Sequence, residues 1–300
     1  MKILTVIALT LLTLNASAEW VNLWPGDAPG AKPQAVANEK NQDGRLGDIA
    51  VPQISVSFPD KAKATGAAVV VFPGGGYTML AADHEGSQFA SWLNERGIVS
   101  IMVKYRVSGN DAYGYGFPVP FLDARRAIRT VRAKADEWGV DPKRIGVLGF
   151  SAGGHLASLC VTRFGDTFPE EGKDAIDQQD CRPDFGILGY PVISMSDPLA
   201  HQGSRRRLLG DTPSVEQIEK YSTDKQVSKE TPPMFLVHTS DDGVDCRNSL
   251  AFATACKDHG VPVTLHLFEK GGHGYGLHGK GDVSAWPQLL EKWLAEKTAK

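Results

Sequence analysis

The stretch Arg144-Ile-Gly-Val-Leu-Gly-Phe-Ser-Ala-Gly-Gly-His-Leu156 joins an apolar run to a helix-like run through a glycine-rich turn. This pattern predicts a β-strand, a sharp turn and an α-helix, with Ser151 at the turn. A serine in such a turn has a strained backbone that lifts its hydroxyl above the sheet. The small residues Gly149 and Gly153 allow the strand and the helix to approach closely. Ser151 is therefore a candidate nucleophile.

A second glycine-rich loop follows a predicted strand further upstream. The strand is the apolar run at 67–72, and the loop, called the oxyanion loop below, is Pro73-Gly-Gly-Gly-Tyr77. Backbone N–H groups of glycines can point into a cavity because no Cβ obstructs them. Together with the N–H of Ala152, those of Gly75 and Gly76 are predicted to form an oxyanion hole, which is worth roughly 3–4 kcal/mol per donor.

Two later strand-like runs also end in polar residues. Met234-Phe-Leu-Val-His238 is followed by Asp241 and Asp242, and Val263-Thr-Leu-His-Leu-Phe268 is followed by His273. Ligands bind at the carboxyl edge of an open parallel sheet, so we expect these side chains to converge on Ser151. Asp242 is preferred as the acid on the family resemblance described below, and Asp241 remains the alternative.

A serine, a histidine and an aspartate together perform chemistry that a lone serine does not. The hydroxyl becomes a good nucleophile when a neutral imidazole takes its proton and a carboxylate holds that imidazole in the right tautomer. Taken singly, a serine in a turn, a glycine-rich loop and a surface histidine are all ordinary features. Here they agree in chain order and in strand position, and this agreement favours a catalytic triad of Ser151, Asp242 and His273.

The first 18 residues are typical of a secretory signal peptide. An apolar stretch from Ile3 to Leu14 follows Met-Lys, and Ala16 and Ala18 form the A-x-A cleavage pattern. We expect cleavage after Ala18 and a secreted or periplasmic location. The apolar stretch is shorter than the ~20 residues of a spanning helix, so no membrane anchor is expected. A net charge of −3 gives no reason to expect nucleic acid as a partner.

The cysteines and histidines give no metal or redox motif. The four cysteines lack C-x-x-C spacing, and the chain holds eight histidines without metal-ligand spacing. We therefore expect no cofactor and no metal. Export permits disulfides, but the spacing does not decide between paired and free thiols.

Strands alternate with helices along most of the chain, which predicts a mostly parallel central sheet with helices on both faces. We expect a single catalytic domain over residues 19–300, with an extended arm at 19–45 and inserts at about 105–119 and 191–230. Loops at the active edge build substrate pockets. The candidate substrate-binding residues are Tyr77, Tyr113, Tyr115 and Arg205. The tyrosines could stack on sugar rings or only anchor a long loop, and the arginine could lie in a solvated turn.

The chain resembles α/β-hydrolase-fold carbohydrate esterases of the bacterial feruloyl/acetylxylan esterase type. The resemblance rests on Trp24-Pro-Gly-Asp-Ala-Pro-Gly30, Phe72-Pro-Gly-Gly-Gly-Tyr77, His84-Glu-Gly86, Asp123-Ala-Arg-Arg-Ala127, Asp141–Leu156, Tyr190-Pro191 and Gly271-Gly-His-Gly-Tyr-Gly276. It implies the same triad and oxyanion residues as above. Two positions depart from the family: Pro73 stands where many relatives carry His, and Asp245 replaces a Pro that often follows the acid's strand.

The resemblance implies a serine esterase that deacetylates xylan or xylo-oligosaccharides. A feruloyl esterase is the first alternative, and it would need a deep apolar slot for the aromatic acyl group. A prolyl-type peptidase is less consistent with the chain, since it usually carries a propeller or similar gate for which there is no room. A lipase would need an apolar lid, whereas the inserts are polar. A non-catalytic carbohydrate-binding module would ordinarily have lost a triad residue, and none is lost.

Overall fold

The main sheet holds eight strands, seven of which run in one direction. The computed structural model describes residues 20–32, 39–109, 114–171 and 173–299. In spatial order the strands are β1 (Trp20–Asn22), β4 (Gln53–Ser57), β7 (Val99–Lys104), β5 (Ala68–Phe72), β8 (Ile145–Phe150), β9 (Phe185–Gly189), β10 (Met234–Thr239) and β11 (Val263–Phe268). β4 is antiparallel to β1 and β7, and the other neighbouring pairs are parallel. The predicted signal peptide at 1–18 lies outside the described residues.

Helices cover both faces of this sheet. They are α1 (Gln88–Glu95), α2 (Val119–Ala133), α3 (Ala135–Trp138), α4 (Ser151–Thr162), α5 (Gln202–Leu209), α6 (Val215–Tyr221), α7 (Arg247–Asp258) and α8 (Trp286–Thr298). Alternate residues of β5 point to opposite faces, so Val69 and Val71 belong to the same hydrophobic cluster as residues of α1 and α8, whereas Val70 and Phe72 belong to the cluster that includes residues of α2, α4 and α7. The predicted mostly parallel sheet with two helical layers is confirmed. No helix in the described ranges is long and apolar enough to cross a membrane.

The turn between β8 and α4 is as sharp as the sequence predicts. Ser151 has φ of +52°, a left-handed conformation that non-glycine residues rarely adopt. A Cβ on Gly149 would lie 2.1 Å from the carbonyl oxygen of Gly153, and a Cβ on Gly153 would lie 2.2 Å from that of Phe72. Glycine is therefore required at both positions for α4 to approach the sheet.

A second, smaller sheet lies outside the main one, and no pattern in the sequence predicted its strands. It consists of β2 (Lys40–Gln42), β3 (Arg45–Gly47) and β6 (Met79–Leu80), all antiparallel. The predicted extended arm at 19–45 thus contains a strand of the main sheet and part of a hairpin. β2 and β3 are three residues long and β6 only two, so these strands are too short for an alternation of apolar and polar residues to mark them. β6 begins two residues after the oxyanion loop and ties it to the hairpin.

A buried histidine on α4 connects the oxyanion loop to the insert at 191–230. Nδ1 of His155 accepts a hydrogen bond from the hydroxyl of Tyr77 at 2.8 Å, and Nε2–H donates to the carbonyl of Tyr221 at 2.8 Å. Both ring nitrogens are therefore used by the neutral imidazole. Burial lowers the pKa of His155 to about 4, so this side chain stays neutral across the physiological range.

We expect Gly153→Ala to destabilise the protein. Alanine favours a helix by up to about 1 kcal/mol over glycine, but its Cβ would meet the backbone of Phe72 and Pro73, and overpacking of this kind costs about 1–3 kcal/mol or more. Urea unfolding followed by circular dichroism measures the difference. Gly165→Ala is the control, because nothing lies within 4 Å of its Cβ position. Equal stabilities of the two variants would contradict the close approach.

The buried His155 should make stability fall with acidity. The unfolded state binds a proton near pH 6.5 and the folded state only near pH 4, so stability is lost as pH falls through this window. The slope from this one group is at most about 1.4 kcal/mol per pH unit. Urea unfolding between pH 4 and 7 should show a shallower slope for His155→Gln than for the wild type. Parallel slopes would show that folding does not lower the pKa of His155.

Candidate functional site

The three predicted triad side chains form one hydrogen-bonded chain. Nε2 of His273 lies 2.8 Å from Oγ of Ser151, and Nδ1 lies 2.8 and 2.9 Å from the two carboxylate oxygens of Asp242. Asp242 can only accept when ionised, so Nδ1 carries the proton and Nε2 accepts from the serine hydroxyl. This is the tautomer in which the imidazole can act as a base towards Ser151.

Asp242 is buried and accepts several hydrogen bonds. Its side chain is fully buried, and the N–H of Val244 donates to Oδ1 at 2.6 Å. A second histidine, His238, places Nε2 at 3.3 Å from Oδ2. Burial raises the pKa of a carboxyl, but the hydrogen bonds from His238 and His273 hold the pKa of Asp242 below its usual value. The carboxylate therefore remains charged behind the imidazole.

The neighbouring Asp241 has a different set of partners. It is exposed, and its Oδ1 accepts from the N–H groups of Gly271 and Gly272 at 2.9 and 2.8 Å. The hydroxyl of Thr239 donates to the carbonyl of Gly272 at 2.8 Å. These bonds hold the loop at 269–276, called the histidine loop below, against the end of β10. Asp241 thus contacts the loop backbone, whereas Asp242 contacts the imidazole of His273.

The oxyanion loop presents unpaired amides beside Ser151. Gly75 has φ of +136°, which only glycine adopts readily, and a Cβ there would lie 2.0 Å from the carbonyl of Met79. Within the described ranges, the N–H groups of Gly75, Gly76 and Ala152 donate to no protein acceptor. Ala152 lies in the first turn of α4, where N–H groups have no intrahelical partner. Unpaired backbone donors beside a serine hydroxyl are the kind of group from which an oxyanion hole is built.

An open cavity of about 580 Å³ exposes Ser151 and His273. Besides the oxyanion glycines, its wall includes Arg45, Met79, His84, His201, Val244 and Gly274. Arg45 comes from β3 of the small sheet, and His201 caps α5 of the insert. Burial lowers the pKa of His201, so this ring is neutral at neutral pH. The cavity thus combines polar side chains from several segments of the chain around one hydroxyl.

Of the four predicted substrate-binding residues, Tyr77, Tyr115 and Arg205 are absent from the wall of this cavity. Tyr77 is fully buried with its hydroxyl on His155. Tyr115 is 1% exposed and accepts from the N–H of Lys32. The guanidinium of Arg205 donates to the carbonyl of Met195 and to Asp197, which fastens α5 to the preceding loop. Tyr113 lies outside the described residues.

Glu85 and Tyr190 were not predicted as site residues. Glu85 lines the cavity with only 3% of its surface exposed, and it accepts from Gly74 and from Tyr190. Both residues belong to motifs that carry the family resemblance, but nothing in the residue types indicated that they meet.

The described residues contain no group of three or more His, Cys, Asp or Glu side chains that could hold a metal ion. All four cysteines are free thiols, and three of them are buried. A hydroxyl activated by a neutral imidazole, beside amides that can accept a developing oxyanion, is suited to acyl transfer.

The comparisons with known proteins agree on one family. The family model BD-FAE matches residues 54–255. An acetylxylan esterase from Xylanibacter ruminicola is 35% identical over 71% of this chain and 42% of its own length. Endo-1,4-beta-xylanase B from Butyrivibrio fibrisolvens is 32% identical over 73% of this chain and 34% of its own length. The chain therefore spans less than half the length of these two curated relatives.

A solved structure matches the chain nearly end to end. It is the acetyl ester-xyloside bifunctional hydrolase from Caldicellulosiruptor lactoaceticus, with a TM-score of 0.82 and 43% identity. The match covers 93% of this chain and 96% of that one. The shared structure therefore includes both the sheet and the loops at its carboxyl edge.

Replacement by asparagine should lower turnover much more at Asp242 than at Asp241. In Asp242→Asn the amide cannot hold the imidazole in the required tautomer, and turnover of p-nitrophenyl acetate should fall by about 10³–10⁴-fold. In Asp241→Asn the amide oxygen can still accept from Gly271 and Gly272, so most of the turnover should remain. The reverse ranking would transfer the role of the acid to Asp241.

Proposed function

Because the chain belongs to the BD-FAE family of α/β-hydrolase esterases, we propose that it is a serine esterase that removes acetyl groups from xylan or xylo-oligosaccharides. The observation that carries the proposal is the hydrogen-bonded chain from Ser151 through His273 to Asp242, beside three unpaired backbone amides. The names of the xylan-active relatives support the choice of substrate.

The proposed reaction has two halves. In the first, Nε2 of His273 takes the proton of Ser151 as Oγ attacks the acetyl carbonyl, and the amides of Gly75, Gly76 and Ala152 accept the oxyanion. The imidazolium then gives its proton to the sugar oxygen, which leaves as the free hydroxyl. In the second half, the imidazole takes a proton from a water that attacks the acetylated serine. The imidazolium returns this proton to Oγ of Ser151 as the bond between Oγ and the acetyl carbon breaks, which releases acetic acid that ionises to acetate.

The cavity wall supports acetate over ferulate as the acyl group. A feruloyl group carries an aromatic ring that needs an apolar or aromatic slot. Among the described residues, no Phe, Trp or Tyr lines the cavity around Ser151. The polar side chains of Arg45, His84 and His201 are instead suited to hydrogen bonds with sugar hydroxyls. We assign these hydrogen bonds to the sugar, which is the alcohol part of the ester.

We also propose that the protein is exported and cleaved after Ala18, on the signal-peptide pattern at 1–18. Export fits a substrate that is a polymer or a fragment of one. Amino-terminal sequencing of protein recovered from the producing cell's periplasm or medium tests the proposal. A mature chain beginning at Met1 would refute it.

Acetate release from acetylated xylo-oligosaccharides is the direct test of the function. The wild type should release acetate faster than it releases ferulate from feruloylated oligosaccharides. His273→Ala should lower acetate release at least about 10³-fold while the protein stays folded. A faster release of ferulate would favour the feruloyl esterase, and no release of either acid would reject the esterase.

Labelling with a fluorophosphonate tests the nucleophile independently of substrate. The wild type should be labelled, and Ser151→Ala should not. Ser91→Ala is the control, because Ser91 is an exposed serine on α1. Labelling that persists in Ser151→Ala would show that another residue reacts.

A further inference from the structure

A buried carboxylate that the proposed mechanism does not use lies beside Ser151. Glu85 sits in the π-helical turn Asp83–Ser87, before α1, and is 3% exposed. Its Oε2 accepts from the N–H of Gly74 at 2.7 Å. A Cβ on Gly74 would lie 2.8 Å from that same oxygen and 2.9 Å from Cβ of Ser151. Glu85 is therefore packed against the oxyanion loop at the point where the loop passes the nucleophile.

The other oxygen of Glu85 connects to the histidine loop. Oε1 accepts from the hydroxyl of Tyr190 at 2.8 Å, and the oxygen of that hydroxyl accepts from the N–H of Gly276 at 3.1 Å. The ring of Tyr190 also stands edge-to-face against His273, with centroids 5.0 Å apart. Three hydrogen bonds thus run from the oxyanion loop to the histidine loop, and Glu85 is the link between them.

The hydrogen-bond pattern is that of an ionised carboxylate. Gly74 and Tyr190 each donate a hydrogen bond to Glu85, and the hydroxyl oxygen of Tyr190 already accepts one from Gly276. A proton on the Glu85 oxygen that faces Tyr190 would therefore leave the tyrosine hydroxyl without its acceptor. Burial raises the pKa of Glu85 above its usual value, and the bonds from Tyr190 and Gly74 offset only part of that rise. The titratable groups that face Glu85 are His84, Tyr105, Tyr190 and His273.

We propose that Glu85 is a positioning residue of this site, which holds the oxyanion loop and the histidine loop in register through Gly74 and Tyr190 and stabilises the imidazolium of His273 electrostatically. The inference rests on the proposed esterase activity. Because the N–H of Gly74 donates to the carboxylate, the peptide between Pro73 and Gly74 is fixed, and the next two amides, those of Gly75 and Gly76, keep their direction towards the serine. A displacement of about 1 Å at such donors is enough to lower the rate about 10²-fold.

Glu85→Gln separates positioning from substrate binding. The amide keeps the shape of the side chain, but its NH₂ cannot accept a hydrogen bond, so its one oxygen can accept from only one of Gly74 and Tyr190. We expect kcat for p-nitrophenyl acetate to fall about 10–100-fold, with KM changed less than about threefold. Glu171→Gln is the matched control, because Glu171 is an acid paired with Arg125 and Arg129 outside the cavity. It should keep the turnover of the wild type.

The pH profile tests the charge. The acid limb of kcat/KM reports protonation of the base in the free enzyme. Removal of a buried anion makes the imidazolium less favourable, so in Glu85→Gln this limb should move to lower pH by about half a unit or more. Tyr190→Phe keeps the negative charge of Glu85 but removes the hydrogen bonds that join Glu85 to the histidine loop. This variant should therefore lower kcat with a smaller shift of the acid limb. The groups that face His273 in both variants are Asp242, Ser151, His201 and the ring at 190.

A double-mutant cycle completes the test. If the two residues act through one connection, Tyr190→Phe should cost much less in the Glu85→Gln background than in the wild type. Additive losses, or a kcat for Glu85→Gln equal to that of Glu171→Gln, would overturn the proposal while wild-type turnover still supported the esterase. An inactive wild type would instead reject the proposed function. If Glu85→Gln does not fold, Tyr190→Phe alone decides, and unchanged kcat in that variant would overturn the connection.

Discussion

The close approach of α4 to the sheet is the constraint on which the rest of the site depends. The carbonyl of Gly153 lies where a side chain at Gly149 would be, and the carbonyls of Phe72 and Pro73 lie where one at Gly153 would be. This contact forces Ser151 into a left-handed conformation and also brings the start of the oxyanion loop beside it. This one packing contact therefore determines the positions of both the nucleophile and the amides that face the developing charge.

Local sequence could predict the fold because local rules decide it. Apolar runs of five or six residues marked the buried strands, and glycines beside Ser151 marked the turn, since only glycine fits there. The chain order of polar residues after β8, β10 and β11 placed three side chains at one edge. The identity of the acid was harder, because Asp241 and Asp242 follow the same strand. Only the three-dimensional arrangement separates them, with one carboxylate exposed and the other buried.

The walls of the cavity could not be predicted, because they depend on contacts between distant segments. Tyr77 has the residue type and position of a binding residue, but its side chain turns inward to His155, which is 78 positions away. Glu85 and Tyr190 are 105 positions apart, and neither sequence neighbourhood contains a sign of the other. Residue type indicates what a side chain can do, whereas burial and partners depend on the whole fold.

The small sheet has an evolutionary consequence. Arg45 on β3 and Met79 on β6 border the opening above Ser151, yet neither strand belongs to the layer that carries the reacting groups. Exchanges of the side chains at 45 and 79 can change which substrates enter while Ser151, His273 and Asp242 keep their places on the main sheet. Selectivity can therefore evolve at a few surface positions, without a rebuilt interior.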